Sequence, residues 1–541
     1  MKNSTFLCLF LLFSTACISQ TLQDTIALID KAMEIYTPEN PGAQLSIKSK
    51  QKIIFSKVYG NSDLEHNVPL TLMSKIEAGS ISKQFTAAAI LLLEQQGKLS
   101  LNDDVRKYIP ELPDYGTIIT LEQMMHHTSG LKDWGSVAGL TGWGRFTKNY
   151  TNDDALSIII AQKTLNNTPG AEFIYSNSNY NLFAIIVERV SGQSLANFTK
   201  QHIFIPAGMA NTEWRDKHNR IVKNRAIAYN LADTRYEINM PNEDVYGNGG
   251  LLTTTEDLLK WTDFYQSGKL GTPSLLAKQT KTEVFNNGKM NIYGAGLFIT
   301  KFKGHTSIVH DGSTAGYRAN LDTFPDLNLV IAFLSNTSQF DNAKNPLIIS
   351  LRNIFIAEKD KPEPEKKEIV TNVSEVLLNT YAGWYKNDRS GAGLKMEVKD
   401  QKLFMNTTAL IPQSQNTFKN GTLLIEINKQ NKTLKIISKT DIISYSKVEN
   451  AIINKEYLDA YVGKYASTET NSSLVVSRKD GKLILKIKPN AEYEITPTYK
   501  DAFTTSDYGG NIIFIKNKKQ KTNGMKISLP RARNIEFIKL E

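Results

Sequence analysis

Apolar and polar positions sort the chain into three textures. Ala43-Gln44-Leu45-Ser46-Ile47 and Ile53-Ile54-Phe55-Ser56-Lys57-Val58-Tyr59 read as two strands joined by a polar turn. The run that opens at Ser80 and ends near Gly97 is apolar enough to bury its far face, as a core helix does. Helical and loop patterns then dominate from Leu101 to about Phe285. Among them, Asn179 to Val190 is apolar at helical spacing, and Thr255 to Phe264 opens on a capping Thr-Thr-Glu. Strand patterns return at Gly296–Ile299, Thr306–Val309 and Leu329–Leu334, and Asn345 to Ile356 reads as a closing helix. Strands near both ends with helices between predict one sheet assembled from distant segments, with a helical region inserted.

A charged run with two prolines, Lys361-Pro362-Glu363-Pro364-Glu365, reads as a linker. Beyond it short strands alternate with turns, and the pattern repeats 80 positions later. Tyr381-Ala382-Gly383-Trp384-Tyr385 matches Tyr461-Val462-Gly463-Lys464-Tyr465, Leu394 matches Leu474, and Asp400-Gln401-Lys402-Leu403 matches Asp480-Gly481-Lys482-Leu483. Three matches in one register predict two small barrel-like all-β modules. The expected division is 1–19 export signal, 20–358 main domain, 359–374 linker, 375–452 first β repeat and 453–541 second. At 541 residues, more than one core is required.

The first residues carry Lys2, an apolar stretch from Phe6 to Phe13, and small residues before a cut at Ala16 or Ser19. Export to the periplasm or outside the cell is expected. Cys17 after Ala16 offers a site for a lipid anchor, although Ser14 stands where lipoprotein signals usually carry a leucine-like residue. The two cysteines, Cys8 and Cys17, both lie in or beside this segment, so no disulfide or cysteine metal site is expected. Net charge is +10, but its lysines and acids are interspersed, with no basic run interleaved with aromatics. That argues against a nucleic-acid partner and leaves room for association with anionic cell-wall or membrane surfaces.

The candidate chemistry begins at Ser80-Ile81-Ser82-Lys83. On a helix, residues three apart share a face, so the Lys83 amine can reach the Ser80 hydroxyl and take its proton. A helix N-terminus favours the oxyanion formed on acyl attack. Ser-x-x-Lys also starts at Ser49, Ser129 and Ser444, but only Ser80 opens a long apolar helix. Alone, the motif is equally that of a helix-cap serine.

Two further segments fit. Tyr175-Ser176-Asn177 precedes a helix; its phenol can shuttle a proton and its amide can orient a lysine or a substrate carbonyl. Tyr-x-Asn also starts at Tyr59, Tyr150, Tyr246 and Tyr385, so by itself it reads as a turn tyrosine with a capping asparagine. His310-Asp311-Gly312-Ser313 sits at a strand end, where a backbone N–H can pair with that of Ser80, and Gly312 permits close substrate approach. A lone histidine there is more often a structural hydrogen-bonder.

In this order, with Leu121–Leu131 (containing His126-His127-Thr128-Ser129-Gly130) and Gly249-Gly250-Leu251 between them, the motifs resemble the serine β-lactamase and penicillin-recognising superfamily. The likeness is greatest to the branch of class C β-lactamases, D-stereospecific peptidases and related esterases, and covers about residues 25 to 357. The resemblance implies an α/β (α+β) catalytic domain with an antiparallel sheet flanked by helices plus a helical region. It implies Ser80 as acylated nucleophile, Lys83 as proton acceptor and Tyr175 as general acid or base in deacylation. Asn177, His310 and Gly312 would contact substrate, and the backbone N–H groups of Ser80 and Ser313 would form the oxyanion hole. His310 stands where β-lactamases carry the lysine of Lys-Thr-Gly. No Lys-Thr-Gly or Lys-Ser-Gly occurs in the chain, and a mostly neutral histidine holds a carboxylate less firmly.

The expected activity is therefore hydrolysis of small amides, peptides or esters through an acyl-enzyme, of D-amino-acid peptidase or esterase type, with no cofactor and no metal. A β-lactamase or penicillin-binding DD-peptidase is the alternative. The rival of another class is an idle protein that binds cell wall. Adjacent His126-His127 without His-Glu-x-x-His argues against metal hydrolysis, and the absence of Gly-x-Ser-x-Gly against an α/β-hydrolase. The role of the β-rich tail, whether shaping the cleft, stabilising or binding cell wall, is left open by its residues.

Overall fold

A computed structural model describes residues 22–339, 341–342, 345–359, 371–487, 491–505 and 510–540. The expected signal (1–19) and residues 360–370 of the linker lie outside the described residues. The elements that place the site are α1 (Leu22–Ala32), β1 (Ala43–Ser49), β2 (Lys52–Tyr59), α2 (Ser82–Gln95), α3 (Asn177–Ser191) and α4 (Thr255–Gln266). They are followed by β3 (Phe298–Phe302), β4 (His305–Thr314), β5 (Tyr317–Phe324), β6 (Leu329–Ser335) and α5 (Leu347–Phe355).

The six strands form one antiparallel sheet in the order β3-β4-β5-β6-β1-β2. The first strand of this sheet in chain order thus pairs with its last, with Ala43 opposite Ser335 and Ser49 opposite Leu329. Both faces are covered, which is why β6 reads as a continuous apolar run. Leu329, Ile331 and Phe333 face one core with α1 and α5, while Val330, Ala332 and Leu334 face the larger core around α2. On β1 the second face is polar but satisfied: Gln44 accepts from Thr255 N (3.1 Å), and the hydroxyls of Ser46 and Thr255 lie 2.7 Å apart. Thr254 caps α4 by accepting from Asp257 N.

Two differences from the expected elements have physical causes. β5 was hidden because its alternation, Tyr317, Ala319 and Leu321 against Arg318, Asn320 and Asp322, resembles a polar loop. Asp322 is nevertheless buried, accepts from Ser307 Oγ (2.7 Å) and pairs with Arg352 of α5 (2.6 Å). The region from Leu101 to Phe285 also contains short strands besides its helices, among them Leu251–Thr253, which pairs with Ile76–Glu77.

The tail forms two β units. The first is a nine-stranded antiparallel sheet running from Gly383 to Val448, and the second is a closed eight-stranded barrel from Gly463 to Lys539. The 80-residue repeat is structural. Tyr385 donates to Tyr381 O (3.0 Å) as Tyr465 does to Tyr461 O (2.6 Å). Asp400-Gln401 and Asp480-Gly481 both turn with positive φ. The last two barrel strands, β7 (Thr522–Leu529) and β8 (Ala532–Lys539), are joined by a tight turn at Pro530-Arg531.

Candidate active site

Ser80 does not lie in the long helix itself. Gly79–Ile81 forms a 3-10 turn and α2 begins at Ser82. The turn is fixed from two sides. Leu251 accepts from Ala78 N (2.8 Å) and donates its own N–H to Ser82 Oγ (3.1 Å). Gly79 has φ +50, and a Cβ there would lie 2.7 Å from Ser313 N. A Cβ on Gly312 would lie 2.1 Å from Ala78 O. Gly312 therefore permits the close approach of the Ser80 turn, and it also lines the cavity beside Ser80. His310 to Ser313 form the C-terminal part of β4, at the strand end where they were expected.

Lys83 is completely buried in α2 and donates to Ser80 Oγ (3.1 Å), Asn177 Oδ1 (3.0 Å) and the Asn248 carbonyl (2.5 Å). No carboxylate pairs with it among the described residues. Burial pushes its pKa well below the lysine range, and the Arg145 and Arg531 charges push the same way against Asp133. An amine whose charged form is disfavoured by burial, in hydrogen-bond contact with a serine hydroxyl, has the geometry of a proton acceptor.

Asn177 opens α3, where Asp133 Oδ2 accepts from its N–H (2.7 Å) at the positive end of the helix. Two residues earlier, the Tyr175 ring stacks on His127 at 4.3 Å between centroids, and Lys83 Nζ lies 4.9 Å from the Tyr175 ring centre. The Tyr175 hydroxyl is shut off from solvent and, among the described residues, closes no hydrogen bond. Burial pushes its pKa up, opposed by the Ser80 hydroxyl and the Arg531 charge. The phenol thus keeps its proton at neutral pH.

His310 is buried, with Nδ1 2.7 Å from the Asp311 carbonyl and Nε2 3.0 Å from Tyr293 Oη. The carbonyl can only accept, so Nδ1 carries the proton and Nε2 accepts from Tyr293. Burial, with Lys83 nearby, pulls its pKa down to about 3. His310 is an uncharged wall here.

Ser80, Tyr175, Asn177, His310, Gly312 and Ser313 line one cavity of about 520 Å³ with Phe173 and Phe298 as apolar walls, and Lys83 is buried against Ser80 outside that lining. Three of its residues were missed in the sequence. Arg145 pairs with buried Glu243. Asn248 belongs to Tyr246-Gly247-Asn248, one of the Tyr-x-Asn matches set aside. Arg531 comes from the β7–β8 turn of the barrel, with its guanidinium 4.8 Å from the Tyr175 ring centre. No local pattern marks it.

The barrel is tied to the loop that follows Ser129. Lys132 and Glu469 form a buried ion pair (2.9 Å), Asp133 N and Asn166 Nδ2 donate to Arg531 O (both 3.0 Å), and Arg533 holds Glu172 with both arms (2.8 and 3.1 Å). Outside the cavity, Glu122, His126 and Glu283 bring ligand atoms within 4.8 Å of one another, as do Asp63, Glu65 and His66. In the first group Lys281 already engages Glu122, and His126 Nδ1 lies 2.9 Å from the Tyr293 carbonyl.

Comparison with known proteins finds the family model described as Beta-lactamase over residues 26–352. Penicillin-binding protein 4* of Bacillus subtilis strain 168 is 26% identical over 412 residues, covering 69% of this chain and 87% of that one. Among solved structures, the octameric penicillin-binding protein homologue from Pyrococcus abyssi has a TM-score of 0.55 at 24% identity, over 79% of this chain and 100% of that chain. A D-stereospecific amidohydrolase from Streptomyces sp. has a TM-score of 0.52 at 21% identity, over 62% of this chain and 99% of that chain.

Proposed function

Because the chain belongs to the beta-lactamase family of serine hydrolases, we propose that it is exported and hydrolyses small amides, peptides or esters through an acyl-enzyme on Ser80. The D-amino-acid amidase or peptidase type, or an esterase, is favoured. The observation that carries the reading is the 3.1 Å contact between Ser80 Oγ and a buried Lys83 that, among the described residues, has no carboxylate hydrogen-bonded or ion-paired to it.

In acylation, neutral Lys83 takes the Ser80 proton as Oγ attacks the substrate carbonyl carbon. The oxyanion meets the backbone N–H groups of Ser80 and Ser313, which the Gly79 and Gly312 contacts bring side by side. Tyr175, protonated by virtue of its burial, gives its proton to the departing nitrogen or oxygen, and the Lys83 ammonium restores it. In deacylation a water gives its proton through Tyr175 to Lys83, attacks the ester carbon and releases the acid with Ser80 protonated again. Asn177, whose Oδ1 holds the lysine, leaves its amide N–H₂ to face a substrate carbonyl.

Intact mass after treatment with a fluorophosphonate tests this reading. One adduct on the wild type and none on Ser80→Ala is the expected result. An adduct that survives in Ser80→Ala, or none on the wild type, defeats it.

Likeness to a penicillin-binding protein over 69% of the chain favours one second reading, β-lactam acylation at the same serine. A stable benzylpenicilloyl adduct on Ser80, with no turnover of amides or esters, would select it.

A further inference from the structure

Two arginines, Arg145 and Arg531, line the cavity and Lys83 is buried against Ser80; of these three basic side chains two are spoken for. Lys83 is held by Ser80, Asn177 and Asn248. Arg145 is closed onto Glu243. Arg531 differs. Among the described residues its guanidinium makes no hydrogen bond and no ion pair, it is exposed toward the cavity it lines, and only the Tyr175 face supports it.

Its position is not accidental to a loose turn. The backbone carbonyl of Arg531 accepts from Asp133 N and Asn166 Nδ2, and Asn166 Oδ1 accepts from Arg533 N (2.7 Å). Asp133 in turn receives the N–H of Asn177. The turn is thus anchored through backbone groups to the loop that positions the catalytic asparagine. This leaves the Arg531 side chain free for another partner. His310 also lines the cavity, but both its ring nitrogens are engaged within the protein. The acid that lines the cavity, Asp311, is engaged by Asn320 Nδ2 (2.6 Å). A guanidinium with its fork unfilled beside apolar walls is matched to a planar two-oxygen anion.

We propose that Arg531, delivered by the C-terminal barrel, is a specificity residue that binds the carboxylate of the substrate, so that the preferred substrates are peptides or acylated amino acids bearing a free carboxyl group. The cation absent from β4 is supplied from a different domain, some 220 positions later in the chain (531 against 310). The inference rests on the reading that this cavity holds substrate.

The test uses full-length Ser80→Ala protein, so that binding is read without turnover. N-acetyl-D-phenylalanine and N-acetyl-D-phenylalaninamide, which differ only in the charged group, are titrated calorimetrically. The acid is expected to bind at least about ten-fold tighter than the amide, the scale of a charge-assisted pair of hydrogen bonds. Adding Arg531→Gln should bring the ratio close to one, and Arg531→Lys should retain a several-fold preference because it keeps the charge and loses the fork. A ratio near one in the parent, an unbound acid, a ratio unchanged in Arg531→Gln, or equal loss of both ligands would each overturn the proposal. Equal loss would mark Arg531 as a prop for Tyr175 and the turn. Failure of the hydrolase reading shows separately, as absence of the fluorophosphonate adduct on wild-type Ser80.

Discussion

Ser80-x-x-Lys83 and Ser129-x-x-Lys132 are the same motif in one molecule, and both lysines are buried, yet they do opposite things. Lys132 has a carboxylate, Glu469, at 2.9 Å, contributed by the barrel; Lys83 has a hydroxyl, an amide and a carbonyl. Burial drives both amines down, but at Lys132 the Glu469 charge pulls back, whereas at Lys83 Arg145 and Arg531 push further. Burial works against the Glu469 carboxylate too. Lys132 and the N–H groups of Glu536 and Lys163 nonetheless hold it below the usual range. Spacing alone cannot distinguish a base from a brace; the partner at the end of the side chain does.

The contrast is broken most directly at its catalytic arm. Lys83→Met should lower turnover by roughly a hundred- to ten-thousand-fold with little loss of stability, because it removes a buried amine that no anion depends on. Near-wild-type rates on any processed substrate would show that Lys83 is not the base. At the structural arm, Glu469→Gln should lower the free energy of unfolding by about 3–5 kcal/mol, measured by urea denaturation, because it strands the Lys132 charge. An unchanged midpoint would mean that the pair contributes nothing beyond its desolvation. The smallest effect is in the pH profile of kcat/KM. A base that must be neutral loses activity as pH falls through its own pKa, so the acid limb should lie well below the ordinary lysine value of about 10.4. Arg531→Gln, by removing a positive neighbour, should move that limb upward. A limb at the ordinary value, or one displaced downward, would contradict the electrostatics of the cleft.

The grouping of the candidate site was legible where its parts are local. Ser80 and Lys83 lie one turn apart, Tyr175 and Asn177 sit beside a helix start, and β1, β2 and β6 carry plain apolar runs. The repeat in the tail was legible because Tyr381 and Tyr461 perform the same local work. What escaped depends on groups that meet only in space. The alternation of β5 carries a buried aspartate whose partner, Arg352, lies on α5. Asn248 reaches Lys83 through a backbone carbonyl, which no side-chain pattern records. Gly312 was expected to admit a close approach, but that the Ala78 carbonyl also needs that space depends on a contact made only in the folded chain. Arg531 sits in Leu529-Pro530-Arg531-Ala532-Arg533, a turn with nothing in its composition to connect it with a serine over four hundred residues upstream.

The reach of the β7–β8 turn into the cleft also sets an order of events during synthesis. Ser80, Lys83, Tyr175 and His310 all leave the ribosome well before Arg531, and the sheet can close once β6 has emerged. The cavity nonetheless lacks one wall until the final barrel hairpin has formed and docked on the Asp133 loop. A chain that lacks the last hairpin therefore holds Ser80 in a pocket with one wall unfinished.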